Sequence, residues 1–148
     1  MNKELLILDA DDTLWGGNAP CGVKDVIIDE VWQIWQKELL ELKNKGVKLA
    51  ICSMNEIVSI INIFDNHPNM VLTLDDFYVI KANWNAKSKN IFNIYLETKI
   101  PLNKMVFIDD ADYNIKDVKK NLPEVICLRI QNPLDIIDKV KGLFDGKI

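Results

Sequence analysis

The stretch LLILDADDTLWGG, residues 5–17, sets four consecutive apolar residues, Leu5–Leu8, directly before three carboxylates within four positions, Asp9, Asp11 and Asp12. An uninterrupted apolar run of this length is the pattern of a strand buried on both faces of a parallel sheet. Carboxylates beside such a run repel one another and are costly to desolvate unless a positive group stands among them. Two questions follow: which sheet holds the strand, and what cation the acids share.

Three further runs have the same character, Val47–Ile51, Met105–Ile108 and Val125–Ile130, with a weaker one at Met70–Leu74. Helical patterns alternate with them. Val31, Ile34, Trp35, Leu39 and Leu42 mark one helical face, and Gly46 follows it in the position that favours left-handed backbone. Further helices are expected near 55–66, 86–98, 112–121 and 134–144. The alternation predicts an α/β fold, a central parallel sheet with right-handed crossovers, in a single domain over 1–148. In such sheets the working site lies beyond the carboxyl ends of the strands.

The composition fits this architecture. The 148 residues are 49% hydrophobic and 27% charged, enough for a real core and too apolar for disorder. A net charge of −4 supplies no basic face, so neither nucleic acid nor a membrane surface is an expected partner. No apolar run approaches membrane-spanning length, and the start MNKELLILDA turns acidic too early for a signal peptide. Cys52 and Cys127 lie in apolar runs, where a thiol packs as a small hydrophobe, and Cys21 lies in a loop without metal-ligand spacing. A reducing cytoplasm is the expected compartment.

Polar clusters stand where the strands end. Asp9, Asp11, Asp12 and Thr13 follow the first, Ser53 follows the second, and Asp109 and Asp110 follow Met105–Ile108. Carboxylates converging there need a cation, and an all-oxygen set selects a hard one, Mg²⁺ above all. Each piece also has a plain structural reading. Asp and Thr after a strand cap helices or make Asx turns. Ser53 opens S-M-N-E, a capping box with Glu56, and the Asp pair suits a helix N-terminus. Lys87 is one of seventeen lysines, with Lys81 and Lys89 as neighbours that could take its place. His67 reads as a turn residue before Pro68, Trp32 and Trp35 as core or a packing edge, and Trp15 and Trp84 stay open between packing and a substrate wall.

Taken together, D-x-D-x-T (Asp9, Asp11, Thr13), Ser53, Lys87 and the pair Asp109–Asp110 resemble the four motifs of the haloacid dehalogenase (HAD) phosphohydrolase superfamily. From Asp9 the intervals are 44 residues to Ser53, then 34 to Lys87, then 22 to Asp109. DxDxTLWGG, LAICSMN, HPNMVL, Asn83–Trp84 with Lys87, and VFIDDADYN are similar to subfamily IIIC, the FkbH-like domains and magnesium-dependent phosphatases. The resemblance implies a three-layer Rossmann-like fold and a Mg²⁺-dependent phosphatase that forms an aspartyl phosphate. It implies Asp9 as nucleophile and Asp11 as acid and base, with Mg²⁺ held by Asp9, Asp110 and the Asp11 backbone carbonyl. Ser53 and Lys87 would bind phosphoryl oxygens, and Asp109 and Thr13 would support from behind. Ala10 replaces the bulkier residue usual between the motif aspartates.

Neither gap between motifs is long enough for a large cap domain, so an open site is expected. Phosphorylated small molecules, a phosphoprotein or a carrier-bound group would all fit it. GGNAPCGVKD departs from the Gly/Glu-rich segment of FkbH-like proteins. Their reaction, loading a phosphorylated three-carbon acid onto a carrier protein, is the alternative, with Cys21 as the conceivable thiol. A signalling receiver domain would carry its phosphorylated Asp after the third strand, where Asp75 is expected, with Ser/Thr and Lys after later strands. Ile108 is followed by no Ser/Thr, and Gln131 rather than Lys follows the last strand, so the order rejects it. A catalytically inactive binding module is a third reading, although every side chain the chemistry needs is present.

Overall fold

The computed structural model describes residues 3–144; residues 1–2 and 145–148 of the expected domain lie outside the described residues. The strands are β1 (Leu5–Leu8), β2 (Gly16–Gly17), β3 (Val26–Ile27), β4 (Lys48–Ser53), β5 (Phe77–Ala82), β6 (Met105–Asp109) and β7 (Ile126–Arg129). The helices are α1 (Glu30–Asn44), α2 (Ile57–Asn66), α3 (Lys87–Thr98), α4 (Asp112–Asn121) and α5 (Pro133–Leu143). Five strands form one parallel sheet in the order β5-β4-β1-β6-β7. β1 is central, which explains its unbroken apolar run: every residue from Leu5 to Leu8 is buried.

Side chains alternate across the sheet and build two cores. Leu6, Leu8, Leu49, Ile51, Val106 and Ile108 meet Trp35 and Leu39 of α1, Ile60 of α2 and Val140 of α5. Leu5, Ile7, Ala50 and Phe107 meet Ile91 and Ile94 of α3 and Ile115 and Val118 of α4. Three layers result, as expected. The stretch between β1 and β4 holds only the β2–β3 hairpin, short 3-10 turns and α1, so no large cap domain is inserted among the described residues.

Two expectations need correction. The strand expected at Met70–Leu74 is a loop, and the strand is Phe77–Ala82 instead. As an edge strand β5 is only part-buried, so Tyr78 and Lys81 interrupt the apolar pattern that marks the central strands. The loop that looked like a strand is held by Gln36, whose Oε1 accepts from Val71 N–H (3.0 Å) and Leu72 N–H (3.3 Å). Asp75 accordingly precedes β5 rather than ending a strand. On α1 the buried face carries Gln36, while Ile34 is 37% exposed. Trp35 is core, as expected, and its indole N–H donates to Thr13 O at 2.7 Å. His67 is structural too. Its Nδ1 accepts from Asn69 N–H, so Nε2–H donates to Val26 O at 3.0 Å and ties the hairpin to the end of α2.

Candidate active site

Asp9 follows β1 and stays in the sheet through its N–H to Ile108 O (3.1 Å). Ser53 ends β4 and Asp109 ends β6, so adjacency of these three strands carries the three side chains to one edge. Lys87 arrives from further away, as the first residue of α3. Asp117 of α4 accepts from Ser88 N–H (2.9 Å) and Ser88 Oγ (3.0 Å), which caps α3 from a neighbouring helix. The amides of Asn83 and Asn90 exchange bonds of 3.1 and 2.8 Å and fasten the preceding loop.

The Lys87 ammonium is 1% exposed and has all three protons committed: Asp9 Oδ1 at 3.0 Å, Asp109 Oδ2 at 2.9 Å and Cys52 O at 2.7 Å. This is the positive group that the acidic stretch required. Lys81 pairs with Glu97 and Lys89 is exposed, so neither competes for the position. Asp109 is engaged at both oxygens. Its Oδ1 accepts from Ala111 N–H (2.9 Å), and its Oδ2 from Lys87 and from Asn114 Nδ2 (3.2 Å).

One ammonium stands among three carboxylates. Asp9, Asp109 and Asp110 each offer an oxygen, all within 4.8 Å of one another. Burial pushes Asp9 up to about 8, against the pull of Lys87 and with the push of Asp109. Asp110 is also raised, first by burial. Burial works against the Lys87 ammonium, but the Asp9 and Asp109 carboxylates outweigh it, and the net shift is upward. Without a cation, then, Lys87 stays charged and the acids retain a proton. The cluster fits a divalent cation on these grounds, and with Asp109 engaged by Lys87 and Asn114, Asp9 and Asp110 are the carboxylates left to hold it.

A pH dependence follows. Between the ordinary carboxyl value of 3.8 and about 8, the folded domain binds a proton at Asp9 that the unfolded chain releases. Stability in chelator therefore falls as pH rises, by up to about 1.4 kcal/mol per pH unit for that proton. Urea unfolding with EDTA between about pH 5 and about pH 7 measures the slope; a rise in stability over that range would refute the assignment.

The cleft above the cluster encloses about 190 Å³ and is lined by Asp9, Asp11, Asp12, Ser53, Asn55, Lys87 and Asp110, with Asn18, Met54, Ala111, Tyr113 and Asn114 around them. A larger hollow of about 470 Å³, against β7 and α5, holds none of the motif carboxylates. The Asp11 carboxylate accepts from Trp15 Nε1 and Ala19 N–H, both at 2.9 Å, and from Asn55 Nδ2 at 3.1 Å. Ser53 does not form the expected capping box: α2 begins after Glu56 with no side-chain cap, and Ser53 Oγ accepts from Asn55 Nδ2 at 3.2 Å. Strand β4 runs on through Ser53, which points the hydroxyl into the cleft rather than along α2.

Thr13 is fully buried behind Asp11 in a tight turn, its N–H on Ala10 O at 3.1 Å. Its Oγ1 has no hydrogen-bond partner among the described residues. Trp15 packs edge-on to Phe64, ring centroids 5.6 Å apart, so it is core with a polar end on Asp11. Trp84 is 67% exposed and does not line the cleft; neither does the exposed Cys21. Asn55 and Asn114 are site residues without a role in the sequence reading. Both stand inside motif-bearing stretches, but nothing local distinguishes them from other asparagines.

Over 96% of its length the chain matches the structure of the N-terminal part of a Bacteroides fragilis protein, containing a phosphatase domain complexed with Mg, at 33% identity and a TM-score of 0.89. The chain shares its fold with HAD family enzymes. It spans only 40% of that Bacteroides fragilis chain. The same fold occurs in 3-deoxy-D-manno-octulosonate 8-phosphate phosphatase of Moraxella catarrhalis, in complex with magnesium, phosphate and KDO, at 12% identity and a TM-score of 0.63, over 98% of this chain and 89% of that one. It occurs again in a HAD family enzyme of Bacteroides thetaiotaomicron with magnesium and inorganic phosphate, at 12% identity and a TM-score of 0.64, over 89% of this chain and 96% of that one. No protein-family model and no curated protein matches the sequence. No helix among the described residues is long and apolar enough to cross a membrane.

Proposed function

We propose that the domain is a Mg²⁺-dependent phosphatase that hydrolyses phosphate monoesters through an aspartyl phosphate on Asp9. The observation that carries this reading is Lys87, buried and shared between Asp9 and Asp109 beneath an open acidic cleft. Phosphoryl transfer is chiefly positioning and charge neutralisation, and this arrangement supplies a carboxylate, a fixed ammonium and a cation-binding pair. The resemblance to subfamily IIIC belongs to the same proposal, as do phosphorylated small molecules as substrates and a cytoplasmic setting.

Asp9 and Asp110, with the Asp11 backbone carbonyl, would hold the ion. Mg²⁺, when bound, neutralises these carboxylates and the phosphoryl oxygens so that one anion can approach another. An Asp9 oxygen bonds to phosphorus while the ester P–O bond breaks, and Asp11 gives its proton to the departing oxygen. Asp11 then takes a proton from water as that water attacks phosphorus, which releases inorganic phosphate and restores the Asp9 carboxylate. The Ser53 hydroxyl and the Lys87 ammonium face the phosphoryl group. The transfer reaction gains no support from Cys21, which stands outside the cleft lining.

Purified protein is expected to hydrolyse p-nitrophenyl phosphate with Mg²⁺ and to stop with EDTA; undiminished turnover in chelator would refute the metal. Asp11→Asn separates the two steps. A p-nitrophenolate leaving group needs little protonation, so attack by Asp9 continues, but the amide cannot activate water. The variant should turn over slowly and carry trapped phosphate on Asp9, seen by peptide mass after acid quench. An inactive variant without trapped phosphate, or phosphate on Asp12, would overturn the two-step scheme.

A further inference from the structure

The cleft contains a buried amide to which the scheme above gives no task. Asn55, on the turn between β4 and α2, is 2% exposed, and its Nδ2 donates both to Asp11 Oδ2 (3.1 Å) and to Ser53 Oγ (3.2 Å). The amide nitrogen thus faces both side chains, while Asn55 Oδ1 is buried with no hydrogen-bond partner among the described residues. The two oxygens of Asp11 are not equivalent. Oδ1 takes two donors, Trp15 Nε1 and Ala19 N–H, which fill its lone pairs. Oδ2 takes Asn55 alone and keeps one pair open. Ser53 Oγ, already an acceptor from Asn55, keeps its own proton for another partner.

We propose that Asn55 is a positioning residue that makes Asp11 Oδ2 the proton-carrying oxygen and turns the Ser53 hydroxyl proton toward the phosphoryl group. The inference rests on the phosphatase reading. Two donors from the segment after β1 and one from the turn after β4 stop the carboxylate from rotating, so a single oxygen faces the leaving group. Without the Asn55 donor the carboxylate turns about its Oδ1 contacts, and proton delivery becomes poorly aimed. The loss is greatest for a basic leaving group, which cannot depart as an anion, and small for an acidic one.

The test compares kcat/KM, which reports attack rather than breakdown of the acyl phosphate, for phenyl phosphate and 2,4-dinitrophenyl phosphate. Asn55→Ala should lose roughly 100-fold on phenyl phosphate and only about 3-fold on the dinitrophenyl ester. Equal losses on both esters would overturn the proposal, because a merely structural residue lowers both alike. If Asn55→Ala does not fold, Asn55→Leu, close in shape but with neither donor nor charge, is read in the same way. Crystal structures of wild type and variant give a readout independent of turnover. Asp11 should be rotated in the variant, and an unmoved carboxylate would overturn the assignment. Wild-type protein inactive on both esters would count against the phosphatase reading, and the position of Asp11 would still decide the role of Asn55.

Discussion

Asp9→Asn is expected to leave a folded protein whose turnover of aryl phosphates falls by on the order of 10⁴-fold or more. The amide fills the same volume, and its oxygen can still accept from the Lys87 ammonium that now reaches Asp9 Oδ1 at 3.0 Å. An amide cannot attack phosphorus to give an acyl phosphate, so the loss belongs to the chemical step and adding substrate does not restore it. Steady-state rates with circular dichroism on the same sample check it. A rate within about tenfold of wild type would move the nucleophile elsewhere.

Lys87→Met carries the second large effect, on stability as well as rate. The variant leaves Asp9 and Asp109 facing each other in a buried site with no counter-charge, and Asp109 is fully buried. Breaking a buried pair from one side costs about 3–5 kcal/mol, a large part of the stability of a typical domain. Tm in chelator should fall by about 10 °C or more. The loss should shrink on acidification, as the carboxyl left ionised without its ammonium takes up a proton, and should shrink again with Mg²⁺. On the proposed scheme activity should drop at least about 100-fold, since the ammonium neutralises charge beside the Asp9 oxygen that attacks phosphorus. Lys89→Met, at an exposed position of the same helix, should stay within about 0.5 kcal/mol of wild type and keep its activity. The opposite pattern between the two lysines would reject the site as described.

The central strands were legible because burial on both faces demands apolar residues at every position, and Leu5–Leu8 and Met105–Ile108 meet that demand. The edge strand was not. Phe77–Ala82 is half exposed, so Tyr78 and Lys81 are tolerated, while the loop at 70–74 carries a strand-like apolar run because Leu72 and Met70 pack into the core and Gln36 takes the Val71 and Leu72 N–H groups. Ser53 was ambiguous for a similar reason. A serine three residues before a glutamate has the local pattern of a cap, and only the continuation of β4 through Ser53 directs its hydroxyl elsewhere.

By itself the sequence determined the α/β alternation, the strand ends that carry Asp9, Ser53 and Asp109–Asp110, and the need for a cation among those acids. These are local properties, set by side-chain period and by the cost of burying charge. Tertiary structure alone decided which atoms the Lys87 ammonium reaches, which oxygens of Asp109 are already committed, and that Asn55 joins Asp11 to Ser53. Each of these joins residues from different strands or helices, 78 positions apart for Lys87 and Asp9, through hydrogen bonds a few ångströms long. Such directional contacts depend on the docking of α3 against α4 and the register of β4 beside β1, which no local pattern of residues encodes.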